Sequence, residues 1–567
     1  MSSPIDRPWV ASYATGVPAD VTVPDEPLTA TLVRTAERFP DRIAVDFEGQ
    51  TTTYRELLDE VERAAGALLA LGVQRGDRVA IALPNCHAHV VAYWAVLRLG
   101  AVVVEHNPTY SEGELEHQLR DSGAAVAICW EQTASRVLAI QDNTQLRQVV
   151  AVDLTRDLPV AKRLALSLPV PRARRLRAQL RGDVPATTPM WHRLVAAATP
   201  VPASHAPATA DDVATIQYTG GTTGTPKGAV LTHRSLGANT TQGGAWTQLA
   251  DGTETFYAVL PFFHAFGLTL CLNYAARIGA TLVTFGKFDP EAVLAAQRRR
   301  PATFLPGVAP MFDRLAALAE KKGADLSSIK LALAGAMPIA RATAERWERL
   351  TGGLLIEGYG MTETGPVALG NPCTADRRPG ALGLPFPSTE MRVVDPDDTS
   401  VDVAPGERGE LLIRGPQVFS GYWNRPEETA EQLLPDGWLR TGDVVVVDEH
   451  GFATLVDRIK EMIVTGGYKV YPSQVEAHLR SMPGVADVAV VGIPGGDMGE
   501  KVVAAVVLDA DAAGTAGLDL AAVRAWCEQR LARYALPREL VIVADLPRSQ
   551  IGKVMRRVVR ERVMGGA

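Results

Sequence analysis

The chain has 567 residues and a formal net charge of −7, a length that suggests about three or four domains around a large buried core. Hydrophobic residues at 47% and charged residues at 21% exclude disordered, collagen-like and fibrous classes, and the mild acidic excess argues against a dedicated nucleic-acid binder, which would carry a basic footprint. Five cysteines, Cys86, Cys129, Cys271, Cys373 and Cys527, are scattered and odd in number; they form neither a disulfide framework nor a metal-ligand spacing, and fit a reducing cytosol.

In chain order, the first sixteen residues, MSSPIDRPWVASYATG, lack an apolar run and do not read as a secretory signal. From Arg78 the sequence alternates β-rich runs with helical patterns: RVAIALP, then HAHVVAYWAVLRLG, then AVVVEHNP. This predicts βαβ units with mostly parallel sheets, an α/β fold. Between Lys162 and Arg181 lie seven basic residues, no acidic one and five interleaved leucines. That pattern predicts either a solvated helix pair or a surface that rests on anionic lipid. Val213 to Tyr218 reads as a strand running into a glycine-rich loop, and Thr255 to Ala276 contains no Asp, Glu, Lys or Arg. The latter is long enough to span a bilayer, but Pro261, His264, Gly267 and Asn273 interrupt it, so it is read as buried core. After Lys460 short strands and helices form a compact α+β unit. The predicted division is residues 1–459 as a large body and residues 460–567 as a small mobile domain, with a hinge near 460.

The strongest local signal is Tyr218-Thr-Gly-Gly-Thr-Thr-Gly-Thr-Pro-Lys-Gly228. Its glycines let backbone N–H groups approach a polyanion, its threonines add hydroxyl donors, and Lys227 adds a point charge for terminal phosphates. Pro226 precedes the lysine and Gly228 follows it, so this is not the P-loop pattern, in which Ser or Thr follows the lysine to meet magnesium.

This loop resembles the phosphate-binding loop of the adenylate-forming superfamily, which includes acyl-CoA synthetases, peptide-synthetase adenylation domains and firefly luciferases; that family usually has Ser where Gly220 stands. Further motifs follow in the family's order: Ala334-Gly-Ala-Met-Pro338, Tyr359-Gly-Met-Thr-Glu363, Gly437-Trp-Leu-Arg-Thr-Gly-Asp443, Asp457-Arg-Ile-Lys460 and Pro547-Arg-Ser-Gln-Ile-Gly-Lys553. The resemblance implies a large domain of two mixed, mostly parallel sheets with a small β-barrel-like subdomain, followed by a small mobile domain. It also implies ATP, Mg²⁺ and coenzyme A as cofactor and cosubstrates. Thr219, Gly220, Gly221, Thr222, Thr223, Gly224 and Lys227 would cradle phosphates. Tyr359 would stack on adenine, with Gly335 and Ala336 walling the other side. Thr362 would touch the α-phosphate, Glu363 would hold Mg²⁺, and Asp443 and Arg458 would hold the ribose. Lys553 would neutralise the attacking carboxylate and the α-phosphate. Lys460 would be the pivot, and Gly466 and Gly467 would line a pantetheine tunnel. The C-terminal motif departs from the family at Ser549, where Thr is common, and at Ile551, where a small residue is usual.

His264, Phe266, Gly267 and Leu268, in Leu260-Pro-Phe-Phe-His-Ala-Phe-Gly-Leu268, match the family segment that shapes the acyl pocket. Neither an Asp nor an Arg stands out there as an anchor for an ammonium or a second carboxylate, which favours a plain apolar acid. RPWVASYATGVPADV near the start and Asn107 to Ala124 resemble bacterial long-chain fatty-acyl-CoA synthetases. The implied activity is an ATP-dependent fatty-acid–CoA ligase that prefers long chains. Alternatives are a fatty-acyl-AMP ligase serving a carrier protein and a medium-chain or aryl acid–CoA ligase. The implied partners are fatty acid and coenzyme A, without nucleic acid. The implied location is the cytoplasm, with Lys162–Arg181 as a peripheral contact with the inner face of the membrane. The oligomeric state is left open, a homodimer being one option.

Overall fold

The computed structural model describes residues 7–202, 205, 208–219, 226–465, 468–496, 499–509, 518–528, 530–549 and 552–565. The apolar runs of the first part form a six-stranded sheet in the order Gln148–Val152, Val126–Trp130, Arg78–Ala82, Val102–Glu105, Val213–Thr219, Lys227–Thr232, parallel except for the last pair. These strands lack polar alternation because they are covered on both faces. Helices Glu112–Ser122 and Glu131–Ala139 pack Leu115, Leu119, Ala134 and Val137 against Ala80 and Ala82, and helix His87–Arg98 lies on the other side. That helix buries ten of its twelve residues, which explains why it is apolar all round.

A second, nine-stranded sheet runs Leu384–Pro385, Val367–Gly370, Leu354–Gly360, Leu331–Ala334, Phe304–Gly307, Thr255–Ala258, Thr281–Thr284, Ile43–Phe47, Gln50–Thr53. Its interior pairs are parallel and its edges antiparallel. Asn85, just past a strand of the first sheet, joins the two. Its amide donates to the Ala258 and Leu260 carbonyls at 3.0 and 2.7 Å and accepts the Phe262 N–H at 2.8 Å.

The uncharged run from Thr255 is not one helix. It is a strand to Ala258, a helical turn Ala265–Gly267, a π-helical stretch Leu268–Asn273 and a helix Tyr274–Ile278, nearly all buried. Among the described residues no helix is long and apolar enough to cross a membrane. The basic stretch forms two helices, Val160–Ser167 and Pro171–Leu180.

By contacts the chain forms two compact units, Met1–Glu390 with Arg414–Gly437, and Met391–Ile413 with Trp438–Ala567. Within the second, a four-stranded sheet takes Glu390–Val394, Gly409–Arg414, Leu439–Val447 and Ala453–Arg458 in chain order. A separate sheet, Val485–Pro494, Glu500–Leu508 and Glu539–Ile542, is packed by helices Pro472–Arg480 and Leu520–Glu528 around Val475, Leu479, Val488, Val490, Val523 and Cys527. The contact division thus groups the four-stranded sheet with the residues beyond 460, where the sequence predicted a boundary. Local bonds account for this grouping: Asp457 accepts the Ser473 N–H at 2.7 Å, Lys469 pairs with Asp397 at 2.9 Å, and Arg408 lies 5.4 Å over the Tyr471 ring.

Candidate active site

In the first unit, the expected residues gather at the C-terminal ends of adjacent parallel strands, the usual ligand edge of an open α/β sheet. Leu331–Ala334 and Leu354–Gly360 pair with Ala334 opposite Glu357. Gly335 and Ala336 follow the first, and Tyr359, buried, closes the second. Ala336 has φ +65°, a left-handed conformation that costs a non-glycine residue about 1–3 kcal/mol and that collects at functional sites. A side chain at Gly335 would stand 2.9 Å from Cε1 of Phe266. The backbone expected to wall adenine is therefore in direct contact with the ring expected to wall the acyl chain.

Phe266, Gly267 and Leu268 are all buried. His264 accepts the Phe266 N–H on Nδ1 at 3.3 Å, and burial lowers its pKa. Its lone pair serves a turn cap, and the ring stays neutral at physiological pH. Thr362 and Glu363 sit on the short 3₁₀ turn Thr362–Thr364. Gly360, just before it, has no room for a side chain, since a Cβ would meet the Pro366 carbonyl at 1.8 Å. Beyond the turn, Asn239 holds Val367 by donating to its carbonyl at 2.7 Å and accepting its N–H at 3.2 Å.

Thr219 and Lys227 face each other across the antiparallel pair that brackets the glycine-rich loop. Gly220, Gly221, Thr222, Thr223 and Gly224 lie outside the described residues, as do Gly466 and Gly467. Tyr422, a residue the motifs did not single out, connects Lys227 to Glu363. Its hydroxyl donates to Glu363 Oε1 at 2.6 Å, and the Lys227 ammonium lies 5.2 Å from its ring centroid. Its local signal is only an aromatic in a Gly/Asn/Pro-rich loop, GYWNRP, and its partner is 59 positions away.

The second unit holds the other expected residues. Asp443 and Arg458 are opposite one another on adjacent strands, paired at 3.0 Å, and Asp443 is buried. Lys553 is presented by a tight turn in which Ser549 N–H donates to the Lys553 carbonyl at 2.8 Å and the Ser549 hydroxyl accepts the Lys553 N–H at 3.2 Å. Serine supplies that bond itself. Burial lowers the Lys553 ammonium to about 8, reinforced by Arg458 and Arg556 and opposed by Glu461 and Asp443. Arg556 pairs with Glu461 and, at 2.8 Å, with Glu476, and donates to the Ser473 hydroxyl at 2.9 Å. Burial raises Asp457 to about 6 despite its backbone hydrogen bonds from Ser473 and Arg458. Lys460 is exposed on the turn Ile459–Glu461.

Among the described residues no three His, Cys, Asp or Glu side chains cluster as a metal site. Glu363, buried beside Thr362, offers a carboxylate of the kind that, with substrate oxygens, suits Mg²⁺.

Residues 32–423 match the family model described as AMP-binding enzyme, and residues 474–553 match the AMP-binding enzyme C-terminal domain. A long-chain-fatty-acid–CoA ligase of Bacillus subtilis (strain 168) is 36% identical over 557 residues, covering 98% of both chains. Among solved structures, ATP-bound MatB from Rhodopseudomonas palustris superposes with a TM-score of 0.80 at 30% identity, over 95% of this chain and 99% of that one. A Mycobacterium tuberculosis fatty acyl CoA synthetase gives 0.74 at 27% identity over the same shares.

Proposed function

The chain belongs to the AMP-binding enzyme family, and on that premise we propose that it is an ATP-dependent fatty-acid–CoA ligase preferring long chains. In the first step the carboxylate oxygen attacks the α-phosphorus of ATP and pyrophosphate leaves, giving acyl-AMP. In the second the thiol of coenzyme A attacks the acyl carbon, losing its proton, and AMP leaves. Negative charge gathers on phosphoryl oxygens in the first transition state, so catalysis is positioning with cationic stabilisation.

In this reading Thr219, Gly220, Gly221, Thr222, Thr223, Gly224 and Lys227 hold the phosphates. Tyr359, Gly335 and Ala336 enclose adenine, Thr362 meets the α-phosphate, and Asp443 and Arg458 bind the ribose. Mg²⁺, bound with the nucleotide at Glu363, would neutralise phosphate charge. Lys553 reaches the carboxylate and α-phosphate during adenylation. The small domain then turns about Lys460, bringing Gly466 and Gly467 to the pantetheine arm; the domain boundary belongs at 460 for that motion. The observation that carries the reading is the buried apolar segment Phe266–Leu268, whose Phe266 ring lies against Gly335 and so sets an uncharged wall beside the backbone assigned to the nucleotide. His264 caps that segment. In this reading the protein acts in the cytoplasm, with the Lys162–Arg181 stretch as its contact with the membrane's inner face.

Two assays test this. Coenzyme A consumption across acids from acetate to oleate should peak among long chains, and an acyl-carrier protein should not replace coenzyme A. Lys553→Ala should abolish pyrophosphate release with ATP and fatty acid while leaving thioester formation from supplied acyl-AMP largely intact. Full pyrophosphate release by that variant would remove Lys553 from its role.

A further inference from the structure

We propose that Tyr422 is a positioning residue for nucleotide binding, holding the Glu363 carboxylate toward a phosphate-bound divalent cation while its ring steadies the Lys227 ammonium. This rests on the ligase reading above and adds a residue that none of its motifs contains.

The geometry is local and specific. The Tyr422 hydroxyl donates to Glu363 Oε1 at 2.6 Å, and Phe419 N–H donates to the Glu363 carbonyl at 2.9 Å. One short segment therefore grips both the side chain and the main chain of the same glutamate. The segment is itself fixed to the strand that begins with Lys227. Ser420 N–H donates to Val230 at 3.0 Å, Val230 N–H to Gly421 at 2.9 Å and Trp423 N–H to Gly228 at 2.7 Å. Tyr422 N–H donates to the Thr429 hydroxyl at 2.9 Å, and Phe419 packs edge-on against the Tyr422 ring at 5.0 Å. The ring thus has little freedom, and Lys227 and Glu363 are held on one rigid aromatic link.

A buried carboxylate needs a donor to keep its charge and a fixed orientation to meet a cation of strict geometry. Outer-shell hydrogen bonds of this kind change metal affinity about 10–100-fold when removed. The ring face also attracts the Lys227 ammonium, 5.2 Å from its centroid.

Tyr422→Phe retains the ring and removes only the hydroxyl. ATP binding to the full-length protein is measured by calorimetry, without acid or coenzyme A, in excess EDTA and across a Mg²⁺ series. The variant should bind ATP in EDTA within about twofold of wild type, while the gain in affinity from Mg²⁺ falls about tenfold. Its thermal midpoint should fall, since buried Glu363 loses a hydrogen-bond donor, while its thioester formation from acyl-AMP should stay at the wild-type rate. Glu363→Gln should lose the same Mg²⁺-dependent gain, and Tyr422→Phe added to it should cost nothing further. An unchanged Mg²⁺ dependence, an equal loss with and without Mg²⁺, or additive losses in the double variant would overturn the proposal. Wild-type protein that neither binds ATP nor adenylates a fatty acid would instead overturn the ligase reading.

Discussion

At the scale of single residues, Lys553 and Gly335 carry tests of the proposed ligase reading. The Lys553 ammonium, lowered to about 8 by burial and by Arg458, is cationic below that pH and loses its charge as pH rises through it. Because kcat/KM reports free-enzyme ionisations, kcat/KM for ATP in pyrophosphate release should fall above about pH 8, and the acyl-AMP-to-thioester half-reaction should not share that fall. A pH profile identical for both halves would contradict the assignment. Gly335→Ala puts a methyl 2.9 Å from the Phe266 ring. Overpacking of this kind costs about 1–3 kcal/mol, so the variant should melt lower and bind ATP more weakly, by calorimetry. That contact is not written in the glycine or the phenylalanine, which lie 69 positions apart.

At the scale of elements, the turn carrying Thr362 and Glu363 is held from outside itself. Asn239 belongs to helix His233–Thr247, which starts on the capping box Thr232–Ser235, and its amide satisfies both backbone groups of Val367. Thr269, from the π-helical stretch, donates to the Gly365 carbonyl at 2.9 Å. Asn239→Ala leaves the buried N–H and C=O of Val367 without these bonds, at about 1–3 kcal/mol for each group. We expect a lower thermal midpoint and a larger loss in adenylation than in thioester formation from acyl-AMP; equal losses in both steps would show that the helix supports the fold but not the turn. The motif YGMTE was legible in sequence as a motif. Asn239, Thr269 and Tyr422 were not, because polar residues in apolar surroundings carry no periodic signal and their partners are distant in the chain.

At the scale of the whole molecule, the helices Val160–Ser167 and Pro171–Leu180 stand out. Of the twelve large apolar side chains exposed among the described residues, Val160, Leu164 and Leu176 lie on these helices and Leu168 and Val170 on the link between them, with Val160 and Leu164 one turn apart on the first helix. Arg163, Arg172, Arg174 and Arg175 have no ion pair among the described residues, while Arg181 anchors the end of the pair to Glu131 at 2.6 Å. Each basic side chain near an anionic surface contributes about 1 kcal/mol. Reversing Arg172, Arg174 and Arg175 to Glu should therefore weaken sedimentation with anionic vesicles by at least about tenfold without changing activity on a short soluble acid. Undiminished vesicle binding would make the helices a solvated face. The sequence by itself determined the α/β class, the order of the motifs and the uncharged run as core, because strand periodicity, glycine-rich turns and the absence of charge are local properties of the chain. Only the tertiary structure decided that Phe266 abuts Gly335, that Tyr422 joins Lys227 to Glu363 and that the sheet ending at Arg458 groups with the residues beyond 460. Those are long-range contacts, set by which strand ends the sheets bring side by side and by which buried polar groups must then find partners.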